Sequence, residues 1–259
     1  MKMMTWNIKT GGGTRLAAIL AVLRRERPDV LALQELRDFG RHGGRRMREV
    51  AEATGMTAHL APSAFGQPVA VLARPPLELT RTRVVRWRLH HAAAVAVVAT
   101  REGPLTVVST HLNPFSPYRR MREARWLAAR YASRRGLVVL AGDLNALDPR
   151  TDHTGELERL GPLYRRRHLA PDGSADTRAI AAFEEAGFTD LWAGGGDGRT
   201  APTSEGGGRE FSGMRLDYVL GSPPVAARAR DLRVLRGGET EYASDHYPVV
   251  VDLDLTAPG

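Results

Sequence analysis

Met3-Met-Thr-Trp-Asn-Ile-Lys-Thr-Gly-Gly-Gly-Thr14 opens the chain and Asp29-Val-Leu-Ala-Leu-Gln-Glu35 follows it closely. Met3 to Ile8 reads as a buried strand running into a glycine-rich turn. Asp29 to Glu35 reads as a short apolar strand that terminates on Gln34 and Glu35. Between them Leu16, Ile19, Leu20 and Leu23 recur at helical spacing, Thr14 stands as N-cap, and Pro28 closes the connection. Strand, helix and strand within the first 35 residues predict an α/β layered fold, because the helix has to cover a sheet face.

The same grammar continues outward. A helix is expected near Arg45 to Ala53, then strands at Thr57 to Ala61, Pro68 to Ala73, Leu77 to Arg88 and Ala92 to Thr100. Leu105 to His111 and Leu137 to Asn145 are apolar strands ending on polar groups, separated by a helix from about Arg119 to Ser133 that buries Leu127 and Tyr131. From Ala146 to about residue 178 the chain turns loop-rich and carries the basic run Arg165-Arg-Arg167. It reads as an insertion in a single domain spanning 1–259, since a helix at Ala179 to Ala186 and strands at Met214 to Leu220 and Arg230 to Leu235 follow. Gly194 to Gly208 is expected to be an open, mobile loop. The pentapeptide Arg-Arg-Met-Arg-Glu occurs at Arg45 to Glu49 and again at Arg119 to Glu123, with no period around it.

Composition narrows the chemistry. With no cysteine, disulfides, thiolate metal sites and Cys nucleophiles are excluded, so any metal is held by carboxylate, amide or imidazole. No apolar run is long enough to span a membrane, and the first strand begins too near Met1 for a signal peptide, which predicts a cytoplasmic protein, expected to be a monomer. The net charge of +8 points to an anionic partner, nucleic acid or a phosphate ester. Only Lys2 and Lys9 are lysine among the 37 basic residues, so a coding bias of the genome accounts for part of that charge.

Strand termini carry a recurrent chemistry: Asn7, Glu35, His111, Asp143 with Asn145, Asp217, and Asp245 with His246 in Glu241-Tyr-Ala-Ser-Asp-His-Tyr-Pro248. Taken singly, Asn7 reads as a turn former, Glu35 as a solvated strand end and Asp143 as a cap. Their repetition is what such readings leave unexplained, because strand ends gather at one edge of a layered fold. Carboxylates and amides without thiolates favour a hard cation, Mg²⁺ or Mn²⁺, which suits Glu35 and Asp245. Imidazoles beside such a cation act on protons or hold an oxyanion, and hydrolysis at phosphorus needs both.

Thr5-Trp-Asn7, Leu33-Gln-Glu35, Ser109-Thr-His111-Leu112, Gly142-Asp-Leu-Asn145, Arg215-Leu-Asp-Tyr218 and Ser244-Asp-His246 resemble, in that order, the motifs of the endonuclease/exonuclease/phosphatase superfamily. That superfamily includes deoxyribonuclease I, abasic-site endonucleases, sphingomyelinases and inositol polyphosphate phosphatases. The resemblance implies a four-layer α/β/β/α sandwich, two mixed β-sheets flanked by helices, with a divalent-metal site at one edge. It further implies Glu35 as principal metal ligand with Asn7 and Asp245 beside it. His246, oriented by Asp217, is then general base or transition-state stabiliser, and Asp143 and Asn145 position water and phosphate. His111 donates to a nonbridging oxygen, and Arg215 and Thr203 support the site.

Departures from the pattern are informative. Lys9 stands where abasic-site endonucleases carry an acid, and Thr110-His-Leu-Asn113 replaces their Tyr-containing Pro-Asn motif. The middle-strand acid that supports the equivalent of His111 in deoxyribonuclease I has no counterpart, Gln67 being the nearest candidate. These departures favour the deoxyribonuclease I, sphingomyelinase and tyrosyl-DNA phosphodiesterase side of the superfamily. The net charge and Arg119, Arg120, Arg122 and Arg165 to Arg167 favour a nuclease acting on DNA or RNA, with those arginines as backbone contacts. The alternatives are a small-molecule or phospholipid phosphodiesterase or phosphatase using the same metal site, and, least favoured, a non-catalytic binding module.

Overall fold

The computed structural model describes every residue except Ala193, Gly195 and Gly259. Its strands are β1 (Lys2–Asn7), β2 (Val30–Gln34), β3 (Thr57–Ala61), β4 (Val69–Ala73), β5 (Leu79–Val85), β6 (Ala93–Val98), β7 (Leu105–His111), β8 (Leu137–Asp143), β9 (Thr189–Asp190), β10 (Asp217–Gly221), β11 (Ala229–Val234) and β12 (Val249–Leu253). They form two six-stranded sheets, ordered β11-β12-β1-β2-β4-β3 and β5-β6-β7-β8-β10-β9. The parallel pairs are β1 with β2 and β7 with β8, and each needs a crossover helix. Helix α1 (Leu16–Glu26) makes the first crossover, and a helix Pro117–Tyr131 makes the second.

The layers follow from which side chains each strand sends to which face. Met3, Val30 and Ala32 of the first sheet meet Ala94, Val107 and Val139 of the second in a core between the sheets. Met4, Trp6, Leu31 and Leu33 turn the other way and pack on α1 and on α2 (Arg45–Thr54). The second sheet covers its outer face with the helix Pro117–Tyr131, henceforth α3, and with helix Arg178–Glu185. Central strands covered on both faces read as continuous apolar runs rather than alternating ones, as in Val30 to Leu33 and Leu137 to Ala141. The fold is therefore the expected α/β/β/α sandwich.

Local differences from the sequence reading have simple causes. Thr14 lies inside a 3-10 turn, Gly13–Arg15, and does not cap α1, whereas Ser116 caps α3 by accepting the Arg119 N–H at 3.3 Å. The strand expected from Met214 starts at Asp217, because Met214 instead bridges Ala201. Tyr131 is half-buried at the edge of the α3 core. The loop-rich stretch contains helices Thr154–Arg159 and Pro162–Arg165, and Leu147, Leu157 and Leu160 pack with Met214 and Leu216 in a small core. Part of the Gly194 to Gly208 loop, Gly195, lies outside the described residues. Among the described residues, no helix is long and apolar enough to cross a membrane.

Candidate active site

The strand termini do converge. Asn7, His111 and Asp143 end β1, β7 and β8, and Glu35 directly follows β2. Asp217 begins β10 and Asp245 and His246 precede β12, but these strands run antiparallel to β8 and β1, so their starts lie at the same edge. A pocket of about 500 Å³ opens there, and Glu35, His111, Asp143, Asn145, Asp245 and His246 all line it. Asn7 and Asp217 stand one step behind, each hydrogen-bonded to a lining residue.

Asp143 is the hub. Its Oδ2 accepts the Asn7 amide N–H at 3.0 Å and lies 3.4 Å from His111 Nε2 and 3.7 Å from His246 Nε2. Its Oδ1 accepts the Asn145 backbone N–H at 2.9 Å. His246 Nδ1 meets Asp217 Oδ2 at 2.7 Å, which fixes the ring and turns Nε2 toward Asp143. Burial acts to lower the His246 pKa, yet the carboxylates of Asp217 and Asp143 overcome it and hold it well above the ordinary imidazole value. Burial raises the Asp143 pKa against the pull of both imidazoles, and it lowers that of His111. The site thus gathers two imidazoles and a carboxyl group around one point, with His246 held toward its protonated form and His111 toward its neutral form.

The motif residues that do not touch the pocket build its floor and walls. Gln34 Nε2 donates to Thr5 Oγ1 and Ser109 Oγ, both at 3.1 Å, tying the two sheets together beneath the site. Trp6 Nε1 donates to the His246 carbonyl at 2.8 Å, and Ser244 Oγ donates to the Asn7 carbonyl at 2.6 Å. Thr203 Oγ1 donates to the Ser244 carbonyl at 2.6 Å, and Thr200 Oγ1 accepts the Asp217 N–H at 3.1 Å. Gly142 lets β7 and β8 close: at its φ of 147° a Cβ would lie 1.9 Å from the Thr110 carbonyl oxygen. Gly142→Ala is accordingly expected to destabilise the protein by about 3 kcal/mol or more. Urea unfolding of the variant checks this, and a shift of the midpoint within experimental scatter would refute the account of that glycine.

Glu35 adopts a left-handed backbone conformation, φ 58°, uncommon for a residue with a side chain. Its carboxylate accepts N–H groups from Asn7 at 3.0 Å, Thr10 at 2.9 Å and Gln67 at 3.1 Å. Gln67 therefore braces Glu35 and not His111. Lys9 Nζ lies 3.0 Å from Asp245 Oδ2, so an ammonium, and not a further acid, stands beside that carboxylate. Asn7 turns its amide N–H groups to Glu35 and Asp143 and its carbonyl to the Lys9 N–H at 3.0 Å.

A hard divalent cation suits this edge, since Glu35, Asp143 and Asp245 offer carboxylate oxygens to one open pocket. Asp143, Asp217 and His246 also place ligand-type atoms within 4.8 Å of one another. There, however, His246 Nδ1 and Asp217 Oδ2 already bind each other, which is an arrangement for holding a proton.

Arg215 does not reach the pocket: its guanidinium pairs with Asp148 at 3.1 Å and Asp190 at 2.8 Å and lies over the Tyr218 ring. Arg119 and Arg122 line a neighbouring groove. Sequence reading missed His91, stacked on His111 at 4.3 Å between ring centroids, and Phe211, edge-on to His246 at 5.1 Å. Burial beside His111 and His90 pushes the His91 pKa down to about 2. The signal was available: His90 and His91 lie within three residues of the start of β6, the strand antiparallel to the one ending on His111. Arg167 and His168, from the loop-rich insertion, also line the pocket.

Among curated proteins, no sequence matches. Solved structures match closely in fold. An AP endonuclease from Archaeoglobus fulgidus is 20% identical, with 98% of this chain and 99% of that one covered and a TM-score of 0.72. A 3′ phosphatase from Neisseria, solved with a product DNA hairpin, is 22% identical over 98% and 99% of the chains, TM-score 0.67. A mannosyl-6-phosphatase from Bacteroides thetaiotaomicron is 14% identical over the same shares, TM-score 0.69. The model of the Endonuclease/Exonuclease/phosphatase family matches residues 4–246, which takes in every convergent strand terminus from Asn7 to His246, and the chain belongs to that family.

Proposed function

We propose that this divalent-metal-dependent phosphoesterase is a nuclease, a phosphodiesterase acting on DNA or RNA with Mg²⁺ as its natural cation and with 1–259 as one catalytic domain. The observation that carries the substrate is the rim of the pocket. Lys9, Arg37 and Arg167 stand around an open mouth beside the acidic centre, in a chain of net charge +8. Such a rim suits a polyanion that passes across the site.

Glu35 and Asp245 hold the cation in this reading, with Asn7 keeping the Glu35 carboxylate in place. Bound there, the cation would supply charge that stabilises the phosphate as it reacts. Asp143 takes the proton of the attacking water, Asn145 fixes the phosphate, and His246, charged through Asp217, stabilises the oxygen on which negative charge accumulates. His111 donates to a second nonbridging oxygen. Thr203 and Arg215 position the site through Ser244 and Asp190 without touching substrate.

The pocket volume of about 500 Å³ also suits a sugar phosphate or a lipid headgroup, which defines the competing outcome. A panel of oligonucleotides, nucleotides, sugar phosphates and phospholipids with Mg²⁺ separates them. We expect kcat/KM for oligonucleotides to exceed that for every other class by at least ~100-fold. Preferential turnover of a monoester or a phospholipid would overturn the nuclease assignment.

A further inference from the structure

The catalytic pocket shares Phe65 and His90 with a second groove of about 690 Å³, which runs along α3. Arg88, Arg119, Arg122 and Arg125 line that groove, and its single acidic lining residue is Glu123. Aromatic rings stand between the two cavities and are unusually open to solvent: Phe65 is 61% exposed, and Phe115 and Tyr118 are each 58% exposed. His90 stacks on Phe65 at 4.4 Å with an interplanar angle of 14°, and Phe115 stands edge-on to His90 at 5.7 Å. Arg167 lies over the Phe115 ring at 5.2 Å and Arg122 over the Tyr118 ring at 5.8 Å.

Buried polar groups hold this shelf in place. Glu123, 5% exposed, accepts the backbone N–H of His90 at 2.6 Å and of Asn113 at 2.7 Å. Arg120, 1% exposed, donates to the carbonyls of Asn113 and Arg167. Asn113 Oδ1 in turn accepts the N–H groups of Phe115 at 2.9 Å and Ser116 at 2.8 Å. The loops that carry His90, Phe115 and Arg167 are thereby locked to one helix. Desolvating an arginine and a glutamate is costly without hydrogen bonds, and each side chain here makes two to the backbone. The Glu123 carboxylate is spent on these bonds, which leaves the groove wall to the arginines.

The repeated pentapeptide makes the point by contrast. On α2 its Arg45, Arg48 and Glu49 are exposed, whereas on α3 Arg120 and Glu123 turn inward and only Arg119 and Arg122 face solvent. One sequence thus serves as a plain solvated face in the first place and as a bracket for the shelf in the second.

Resting on the nuclease reading, we propose that the Phe65–His90–Phe115 shelf and the arginine groove form a subsite for unpaired nucleotides flanking the scissile phosphate. Open aromatic faces beside guanidinium groups recognise planar rings spaced along an anionic backbone. In a duplex the base faces are already stacked on their neighbours, so only a single-stranded segment can use the shelf.

Fluorescence anisotropy of a labelled oligothymidylate in EDTA reads binding without turnover, with a hairpin duplex as comparison and melting temperatures to confirm folding. The double substitution Phe65→Ala/Phe115→Ala is expected to weaken single-strand binding by ~10-fold or more. Arg119→Gln/Arg122→Gln should weaken it too and make the salt dependence shallower by about 1 to 2 in log–log slope. Arg45→Gln/Arg48→Gln removes the same charges from α2 and should change neither. Equal losses from the two arginine pairs, or no loss from the aromatic pair, would overturn the subsite. Capture of anionic phospholipid vesicles in place of the oligonucleotide would overturn it as well. Cleavage of the same oligonucleotide with Mg²⁺ is scored separately: binding without cleavage refutes the nuclease reading alone, and cleavage with shelf-independent binding refutes the subsite alone.

Discussion

Replacement of His246 by glutamine should lower kcat by about three orders of magnitude, with KM little changed. His246 is 2% exposed, its Nδ1 is held by Asp217 at 2.7 Å, and its Nε2 points into the pocket beside Asp143. Glutamine can occupy much of the volume and still hydrogen-bond to Asp217, but it cannot carry the positive charge that the two carboxylates maintain on the imidazole. Asp217→Asn should cost within about tenfold of the same, because an amide offers no charge to orient and hold the protonated ring. Since the two residues act as one unit, the double variant should lose little beyond the worse single variant. Steady-state kinetics on one oligonucleotide checks all three, and additive losses in the double variant would show that Asp217 acts elsewhere.

Glu35→Gln is expected to have the second largest effect, and on a different quantity. The side chain keeps its size and some of its hydrogen bonds to Asn7, Thr10 and Gln67, while the charge disappears from the edge where Asp245 is already paired with Lys9. Loss of a residue that merely orients a metal ligand costs ~10 to 100-fold in metal affinity, and loss of the ligand itself should exceed that. Calorimetric titration of Mg²⁺ or Mn²⁺ into the apo protein should show affinity reduced by at least ~100-fold, with the melting temperature of the metal-free protein little altered. Undiminished affinity would move the cation to the Asp143, Asp217 and His246 group.

Much of this was legible in the sequence, for physical reasons that differ by residue. The central strands announce themselves because both faces are covered, so Val30 to Leu33 and Leu137 to Ala141 are apolar without a break. The residues after them are polar because the sheet edge opens there, and that is why Asn7, Glu35, His111 and Asp143 could be picked out. What escaped was whatever depends on direction rather than position. Arg215 lies in a motif next to Asp217, yet its side chain leaves the opposite way, to Asp148 and Asp190. Gln67 could be placed near the site but not assigned to Glu35, since strand order alone does not say which neighbour a side chain meets.

His168 was hidden for a further reason, and Arg167, read from the sequence as one of several backbone-contacting arginines, could not be placed at the pocket itself. They come from the loop-rich stretch after β8, whose path over the pocket is set by packing of Leu157 and Leu160 against Met214 and Leu216. No local periodicity encodes such a contact. The identical pentapeptides on α2 and α3 make the same case, because their exposed and buried arginines differ only through tertiary surroundings.

Hydrolysis of a nucleic-acid phosphodiester by a cation held at Glu35 together with the His246–Asp217 pair is the reaction we propose. Its most direct test is cleavage of an end-labelled single-stranded oligonucleotide by wild-type protein and by His246→Gln, each with Mg²⁺ and with excess chelator. We expect product from the wild type with Mg²⁺, none with chelator, restoration on adding Mg²⁺ back, and about a thousandfold less from the variant. Equal cleavage by both proteins, or cleavage that persists in chelator, would contradict it.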